Sequence, residues 1–281
     1  MNLSSLAHRL TQYDEQEARS IVRLLLSDCL NLSYTDICNG ALDRLSPSEA
    51  ERLENLMQRL EKGEPVQYVT GKAYFYDREF IVAPGVLIPR PETETLIDEV
   101  LHYCRQQEAV PHPTILDIGT GSGCIAVTLA KELPEANVTA WDISSDALTI
   151  AQTNADNLEA KVTFQRQDTL NPPADTLLLY DIIVSNPPYI CQQEAKSMEQ
   201  NVLDHEPHLA LFVPDDDPLL FYRAITLYAE KALRNNGLIA FEINPIYSKE
   251  IQQLLTNHSF RNANIIKDEY GKERVVTAIK I

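Results

Sequence analysis

Residues 114–126 constrain the fold of this 281-residue chain more than any other stretch. An apolar segment of strand type runs into a turn with Gly119, Gly121 and Gly123, and an apolar segment of helical type follows. Alternating glycines let a ligand approach the backbone closely and expose N–H groups at the start of a helix. The dinucleotide pattern G-x-G-x-x-G would need glycine where the chain has Cys124, so a nicotinamide oxidoreductase is a weaker interpretation. The stretch predicts an α/β sheet that binds a nucleoside cofactor.

Two further segments of strand type each lead to a carboxylate. Residues 137–142 end in Asp142, where a carboxylate accepts hydrogen bonds from both ribose hydroxyls of a nucleoside. Residues 162–165 precede Gln167-Asp168-Thr169, and the Asp168 carboxylate is suited to the exocyclic amine of adenine. Taken singly, either carboxylate is equally typical of a solvated strand end, so both interpretations stay open.

The apolar residues 182–185 break abruptly into Asn186-Pro187-Pro188-Tyr189. Proline has a fixed φ and no backbone N–H, so the strand must end there in a stiff, extended turn. The Asn186 side chain both donates and accepts, the proline carbonyls accept, and Tyr189 offers an aromatic face, which together suit a planar N–H2 group. Because ligands of doubly wound sheets bind at the carboxyl ends of the strands, Asn186 is predicted to lie beside the glycine-rich turn.

The remaining patterns predict three domains. Residues 1–62 are typical of short amphipathic helices, with a helix start at Ser46, and predict a small helical domain that docks on a partner. A period of two then predicts a β-hairpin linker over residues 63–90, and a helix begins near Pro91. The strands predicted in this linker cover residues 66–69, 73–76 and 80–82. Residues 91–281 form the predicted catalytic domain, whose last segments suit a sheet with a reversed edge strand.

Composition narrows the possible partners and location. The net charge of −17 would repel duplex nucleic acid and attract a basic protein. No window is long and apolar enough for a bilayer span, and the first residues lack a signal-peptide profile, so we expect a cytoplasmic protein with no membrane contact. His205 and His208 are spaced as a ligand pair, but no third ligand has regular spacing, so no metal is expected.

The glycine-rich turn, Asp142, Gln167-Asp168 and Asn186-Pro187-Pro188-Tyr189, in this order, resemble the class I S-adenosylmethionine-dependent methyltransferases. The last motif narrows the resemblance to enzymes that methylate planar exocyclic or amide nitrogen. Over nearly the whole chain, further segments resemble the protein-(glutamine-N5) methyltransferases that modify peptide chain release factors. These segments are Pro65-x-Gln67-Tyr68, Gly71, Phe75, residues 87–94 and residues 117–123. The chain departs from this family at Asn244, where glycine is common, and over residues 212–217.

This resemblance implies a doubly wound, seven-stranded class I methyltransferase sheet. It implies S-adenosyl-L-methionine as methyl donor, with S-adenosyl-L-homocysteine as product. It implies cofactor contacts by Gly119, Thr120, Gly121, Ser122, Gly123, Asp142, Asp168, Thr169 and Asn186. Catalytic roles are implied for Asn186, Pro187 and Tyr189. Substrate contacts are implied for Pro89, Arg90, Glu92, Asn186, Pro187, Pro188 and Tyr189.

The implied substrate is the glutamine of the Gly-Gly-Gln motif in class 1 release factors, which links the enzyme to translation termination. We expect a monomer that binds a protein substrate and no nucleic acid directly. Three alternatives stay open: an N6-adenine methyltransferase of DNA or RNA that flips its target base, a ribosomal-protein glutamine methyltransferase, and a non-catalytic module that keeps the cofactor fold. The acidic charge and the lack of a basic, aromatic-interleaved segment count against the first.

Overall fold

The first part of the chain forms short helices, each with its own start signal. The structure, a computed structural model, describes residues 1–106, 111–174 and 176–281. Its first helices are α1 (Leu3–Ala7), α2 (Glu15–Leu30), α3 (Tyr34–Cys38), α4 (Pro47–Glu61) and α5 (Val66–Thr70). Ser46 caps α4 through a reciprocal pair of hydrogen bonds with Glu49, and Pro47 is the first helical residue, as predicted. The apolar faces of these helices share a core that includes Val22, Leu25 and Met57.

The strand predicted over residues 66–69 is wrong, because these residues form the helix α5. The Pro65 carbonyl accepts from the N–H groups of Tyr68 and Val69, and Gly71 ends the helix with a left-handed backbone, at φ 76°. Val66 and Val69 lie three residues apart and pack into the helical core. Tertiary packing therefore overrides the β preference of these branched and aromatic side chains.

A β-hairpin follows this helix, as predicted. Strand β1 (Lys72–Phe75) pairs antiparallel with β2 (Arg78–Ile81). Tyr76 and Asp77 connect them, both at positive φ, which is the backbone of a tight two-residue hairpin turn. The domain boundaries at residues 62 and 90 stay a prediction.

The rest of the chain alternates strands and helices. In chain order these are α6 (Glu94–Gln106), β3 (Thr114–Ile118), α7 (Cys124–Glu132), β4 (Asn137–Asp142), α8 (Ser145–Asn157), β5 (Val162–Arg166), β6 (Tyr180–Ser185), β7 (Ile190–Cys191), α9 (Gln200–His205), α10 (His208–Leu211), β8 (Phe212–Val213), α11 (Leu220–Ala232), β9 (Leu233–Glu242), α12 (Ser248–Asn257), β10 (Phe260–Lys267) and β11 (Glu273–Lys280). A 3-10 turn at Pro91–Thr93 leads into α6. Helix therefore begins at Pro91, as predicted.

The main sheet has seven strands in the order β10-β11-β9-β6-β3-β4-β5, which confirms the predicted doubly wound, seven-stranded architecture. Helices α6 and α7 cover one face, and α11 and α12 cover the other. Because β3 pairs in parallel with both β4 and β6, the chain changes direction around β3, and ligands bind at such a switch point.

The reversed strand is β11, and it lies one place in from the edge rather than at the edge. It pairs antiparallel with β9 on one side and with the edge strand β10 on the other. The burial of the two strands explains this order, since Val275, Val276 and Ala278 of β11 are buried, whereas β10 alternates with exposed residues. A polar, half-exposed strand is the one that tolerates an edge.

Among residues 1–106, 111–174 and 176–281, no helix combines the length and the apolar character that a membrane span requires.

Candidate active site

The carboxyl ends of the central strands border a cleft of about 450 Å³. Eight of the predicted site residues line it, namely Gly119, Gly121, Asp142, Asp168, Thr169, Asn186, Pro187 and Pro188. Asn186 lies beside the glycine-rich turn, as predicted, since a Cβ on Gly119 would be 4.0 Å from the Asn186 carbonyl oxygen. Residues far apart in the chain therefore meet at one site because parallel strands end at the same edge.

Asp142 holds the glycine-rich turn against the end of β4. Its Oδ2 accepts from the N–H of Gly121 at 2.9 Å, and its Oδ1 accepts from the N–H of Ser144 at 2.9 Å. Burial raises the pKa of this carboxyl. Each oxygen keeps lone-pair capacity, so Asp142 still accepts hydrogen bonds from a ligand in the cleft.

Asp168 lies across the same cleft, at the end of β5. Its Oδ1 accepts from the N–H of Leu170 at 2.9 Å and its Oδ2 from the Asn171 amide at 2.6 Å. These bonds fix the loop that carries Thr169 into the lining. The carboxylate is thus an ordered acceptor with two of its lone pairs in use.

Three of the predicted cofactor residues support the turn from below the cleft. Thr120, Ser122 and Gly123 are buried and lie outside the lining. The Thr120 hydroxyl donates to Asp117 Oδ2 at 2.6 Å. Gly123 has φ 82°, and a Cβ there would be only 3.0 Å from the Ala151 Cβ, so glycine is required by both backbone and packing. These residues shape the turn, and the structure gives them no direct exposure to the cleft.

The predicted substrate residues Pro89, Arg90 and Glu92 also lie outside the lining. Arg90 donates to the buried Glu206 at 2.5 Å, and Glu92 lies 3.7 Å from Arg274. The neighbouring Gly85, Val86 and Leu87 form that wall of the cleft instead. The sequence analysis did not name these three residues as site residues, and substrate contacts by Pro89, Arg90 and Glu92 stay a prediction.

Tyr189 is partly buried and reaches a carboxylate that the sequence analysis missed. Its hydroxyl donates to Glu242 Oε1 at 3.1 Å, and Thr93 donates to Glu242 Oε2 at 2.6 Å. Asn186 in turn contacts the Thr93 hydroxyl oxygen through Nδ2, at 3.4 Å. Burial raises the pKa of Glu242 to about 7 and that of Tyr189 well above its usual range. The only sequence signal for Glu242 was an acidic residue at the end of an apolar strand.

Asn244, where the chain departs from the family resemblance, also contacts the motif. Its Nδ2 donates to the Tyr189 carbonyl at 3.3 Å and to Glu194 at 3.1 Å. Its Oδ1 accepts from the N–H of Ile246 at 3.1 Å. An asparagine at this position therefore ties Tyr189 to the chain after β9.

Apolar side chains from the second half of the chain complete the cleft. They are Ile143, Leu170, Leu209, Ala210, Phe221 and Ile225. The sequence did not identify them as site residues because helical or loop apolar residues are ordinarily core or surface. An apolar wall with a few oriented polar groups is typical of a small-molecule site.

Comparisons with known proteins agree on one family. A family model described as the PrmC N-terminal domain matches residues 3–71, and one described as the methyltransferase small domain matches residues 99–209. The release factor glutamine methyltransferase of Bacteroides thetaiotaomicron is 47% identical over 266 residues, which cover 95% of this chain and 94% of the relative. That of Flavobacterium psychrophilum is 42% identical over 264 residues, 94% of this chain and 92% of the relative. A solved methyltransferase from Pyrococcus furiosus shares the fold, at 16% identity and a TM-score of 0.50 over 73% of this chain and 90% of that one.

Proposed function

Because this chain belongs to the release factor glutamine methyltransferase family, we propose that it methylates a glutamine side-chain amide of a peptide chain release factor. The cofactor is S-adenosyl-L-methionine, and the target atom is N5 of the glutamine in the Gly-Gly-Gln motif, as the family resemblance implies. One observation carries the proposal: Asn186 and Pro187 border the same cleft as the glycine-rich turn. An acceptor pair for an amide and a nucleoside site are therefore neighbours.

The cleft residues fit S-adenosylmethionine. Gly119 and Gly121 lack side chains where they border the cleft, Asp142 keeps free lone pairs for ribose hydroxyls, and Asp168 with Thr169 borders the place for adenine. When bound, the cofactor supplies an electrophilic methyl group on a positively charged sulfur. The apolar wall of Phe221 and Ile225 excludes water from that neighbourhood.

A carboxamide nitrogen is a weak nucleophile, because its lone pair is delocalised into its carbonyl. The rate enhancement of methyl transfer therefore comes from the positioning of the target amide. The Asn186 Oδ1 and the Pro187 carbonyl accept hydrogen bonds from the two N–H groups of the target amide. This orientation turns the lone pair of the nitrogen towards the methyl group. The same two oxygens stabilise the positive charge that develops on the nitrogen. The nitrogen gains the methyl group as the carbon–sulfur bond breaks, and it then loses one proton to solvent.

The helical segment of residues 1–62 is suited to hold the rest of a large protein substrate, since it has its own core and forms no part of the cleft lining. Its role in substrate recognition is part of this proposal. We also propose that the enzyme acts in the cytoplasm and makes no direct contact with nucleic acid. The net charge of −17 supports a protein substrate over a nucleic acid.

Peptide mapping tests the proposal. The protein is incubated with a release factor and isotopically labelled S-adenosylmethionine, and we expect one methyl group on the Gly-Gly-Gln glutamine by mass spectrometry. A release factor with another residue at that position serves as control and should stay unlabelled. Label on duplex or single-stranded oligonucleotides, with none on the release factor, would instead establish the adenine alternative.

A further inference from the structure

A chain of hydrogen bonds lies behind the Asn-Pro-Pro-Tyr turn. It runs from the Asn186 Nδ2 to the Thr93 hydroxyl oxygen, at 3.4 Å, and from the Thr93 hydroxyl to Glu242 Oε2, at 2.6 Å. The other oxygen of Glu242 accepts from the Tyr189 hydroxyl at 3.1 Å. Thr93 and Glu242 are 2% and 1% exposed, so water does not compete for these bonds. The first and last residues of the tetrapeptide are thus tied to one buried carboxylate.

The donors and acceptors available at each side chain give this series of hydrogen bonds a single direction. An ionised carboxylate only accepts, so the single hydrogen of the Thr93 hydroxyl points to Glu242. The Thr93 oxygen then has only lone pairs to offer Asn186, which must meet it with Nδ2 rather than Oδ1. With Nδ2 held on this side, Oδ1 is left to accept a hydrogen bond from elsewhere. The reversed amide would set a donor against the donor N–H groups of a target amide.

We propose that Thr93 and Glu242 are positioning residues that fix the orientation of the Asn186 side-chain amide. This inference rests on the proposed role of Asn186 as acceptor for the target amide. Both residues are buried outside the lining of the cleft, and both act through Asn186. The Tyr222 hydroxyl donates to the Glu242 carbonyl at 3.1 Å, which anchors the end of β9 and hence the carboxylate itself.

Two substitutions at Thr93 separate orientation from packing. Thr93→Val keeps the shape and removes the hydroxyl, whereas Thr93→Ser keeps the hydroxyl. We expect kcat for release-factor methylation to fall on the order of 10- to 100-fold in Thr93→Val, since misorientation of one group costs about that much. Thr93→Ser should stay within about threefold of wild type, because its hydroxyl makes the same two bonds. Assays are run well above pH 7, where Glu242 is ionised.

Readouts beside kcat distinguish positioning from structural damage. In Thr93→Val, the dissociation constant for S-adenosylmethionine and the KM for the release factor should change little. The Tm should fall by a few degrees, because the buried Glu242 Oε2 loses a hydrogen-bond partner. Thr95→Val, two residues along the chain, is the matched control and should behave as wild type. If Thr93→Val does not fold, Thr93→Ala replaces it, since it also lacks the hydroxyl, with the same expectation of a lowered kcat and retained cofactor affinity.

The outcomes are separable. An active wild-type enzyme with an equally active Thr93→Val overturns the inference and leaves the proposed function standing. Equal losses in Thr93→Val and Thr93→Ser, or a loss of cofactor affinity in step with kcat, also overturn it. An inactive wild-type enzyme overturns the proposed function and this inference with it.

Discussion

At the scale of single residues, Asn186 carries the largest expected catalytic effect. Asn186→Ala removes an oxygen that accepts from the target amide, and we expect kcat to fall on the order of 10²-fold or more, the scale for one such oriented group. The affinity for S-adenosylmethionine should change far less, because the glycine-rich turn and Asp142 remain. Single-turnover methylation and calorimetry measure the two quantities.

The exposed Asn137 provides a control for this variant, since it lies at the start of β4, the end of the strand opposite Asp142. Asn137→Ala should turn over like wild type. Unchanged single-turnover rates in Asn186→Ala would remove Asn186 from the chemistry.

The backbone and surroundings of Gly123 predict a loss of stability when a side chain is added there. Gly123→Ala forces a side chain onto a backbone with φ 82° and sets its Cβ about 3.0 Å from the Ala151 Cβ. Gly271→Ala is a matched control, because its φ is 80° and no atom lies within 4 Å of the new Cβ. Positive φ costs about 1–2 kcal/mol in both variants, and overpacking adds about 1–3 kcal/mol at Gly123 alone. Urea denaturation measures the difference, and equal losses in the two variants would contradict the packing argument.

Sequence reasoning worked for site residues that sit next to a strong local signal. Asn186, Gly119 and Asp142 each follow a strand of the parallel sheet, and the rule that such ends converge brought them together correctly. Thr93 and Glu242 escaped because they are 149 residues apart and meet only in the folded chain. Neither a threonine before a helix nor a glutamate at a strand end has a local sequence signal that indicates contact between the two side chains.

At the scale of elements, Asn154 of α8 joins the hairpin to the glycine-rich turn. Its Oδ1 accepts from the N–H of Ile81 at 2.7 Å, and its Nδ2 donates to the carbonyls of Ile81 and Ser122, both at 2.9 Å. The side chain is 1% exposed. One amide therefore satisfies three backbone groups from two other elements, the buried Ser122 carbonyl and both groups of the half-buried Ile81.

Asn154→Ala should lower the free energy of unfolding by about 2–3 kcal/mol, because one buried and two half-buried backbone groups lose their partner. Asn157→Ala, at the exposed end of the same helix, should change it by less than about 0.5 kcal/mol. Chemical denaturation monitored by circular dichroism checks both. A loss at Asn154 no larger than that at Asn157 would show that water replaces these bonds at no cost.

Helices and strands could be predicted where their own residues determine the backbone. They could not be predicted where packing against other elements determines it. The strand, glycine turn and helix at residues 114–132 follow from apolar runs and glycine positions. The helix α5 looked like a strand because its five residues are branched or aromatic at alternate positions, and only docking on the helical core fixes its backbone. The place of β11 inside the sheet likewise depends on which of two neighbouring strands buries more apolar surface.

At the scale of the molecule, side chains of α4 and α5 connect the N-terminal helices to the wall of the cleft by hydrogen bonds to backbone carbonyls. The Tyr68 hydroxyl of α5 donates to the Val86 carbonyl at 2.5 Å, and Val86 lines the cleft. Arg59 of α4 donates to the carbonyls of Tyr68 and Val69, at 3.1 and 3.3 Å. Helix α4 is therefore connected to the wall of the cleft through α5, a relation that no single stretch of sequence indicates.

The stability of the whole molecule depends on pH through its buried carboxyl groups. Glu242 has a pKa raised from 4.5 to about 7, chiefly by burial, and burial also raises that of Asp117 to about 7. Between these values the native state binds more protons than the unfolded state, so the slope of the free energy of unfolding against pH is negative for these groups. Their contribution is complete below the unfolded pKa values, 4.5 for Glu242 and 3.8 for Asp117, and is lost as pH rises through about 7.

Glu242→Gln isolates the contribution of one such group. Glutamine does not titrate, so the wild type should lose roughly 3 kcal/mol of unfolding free energy relative to the variant between about pH 4.5 and pH 8. Taking the difference between the two proteins cancels Asp117 and the many surface carboxylates, which are the same in both. Urea denaturation at several pH values measures it. A difference that stays constant with pH would mean that Glu242 has the same pKa in the folded and unfolded states. The contacts with Thr93 and Tyr189 and the nearby Arg274 would then offset the effect of burial.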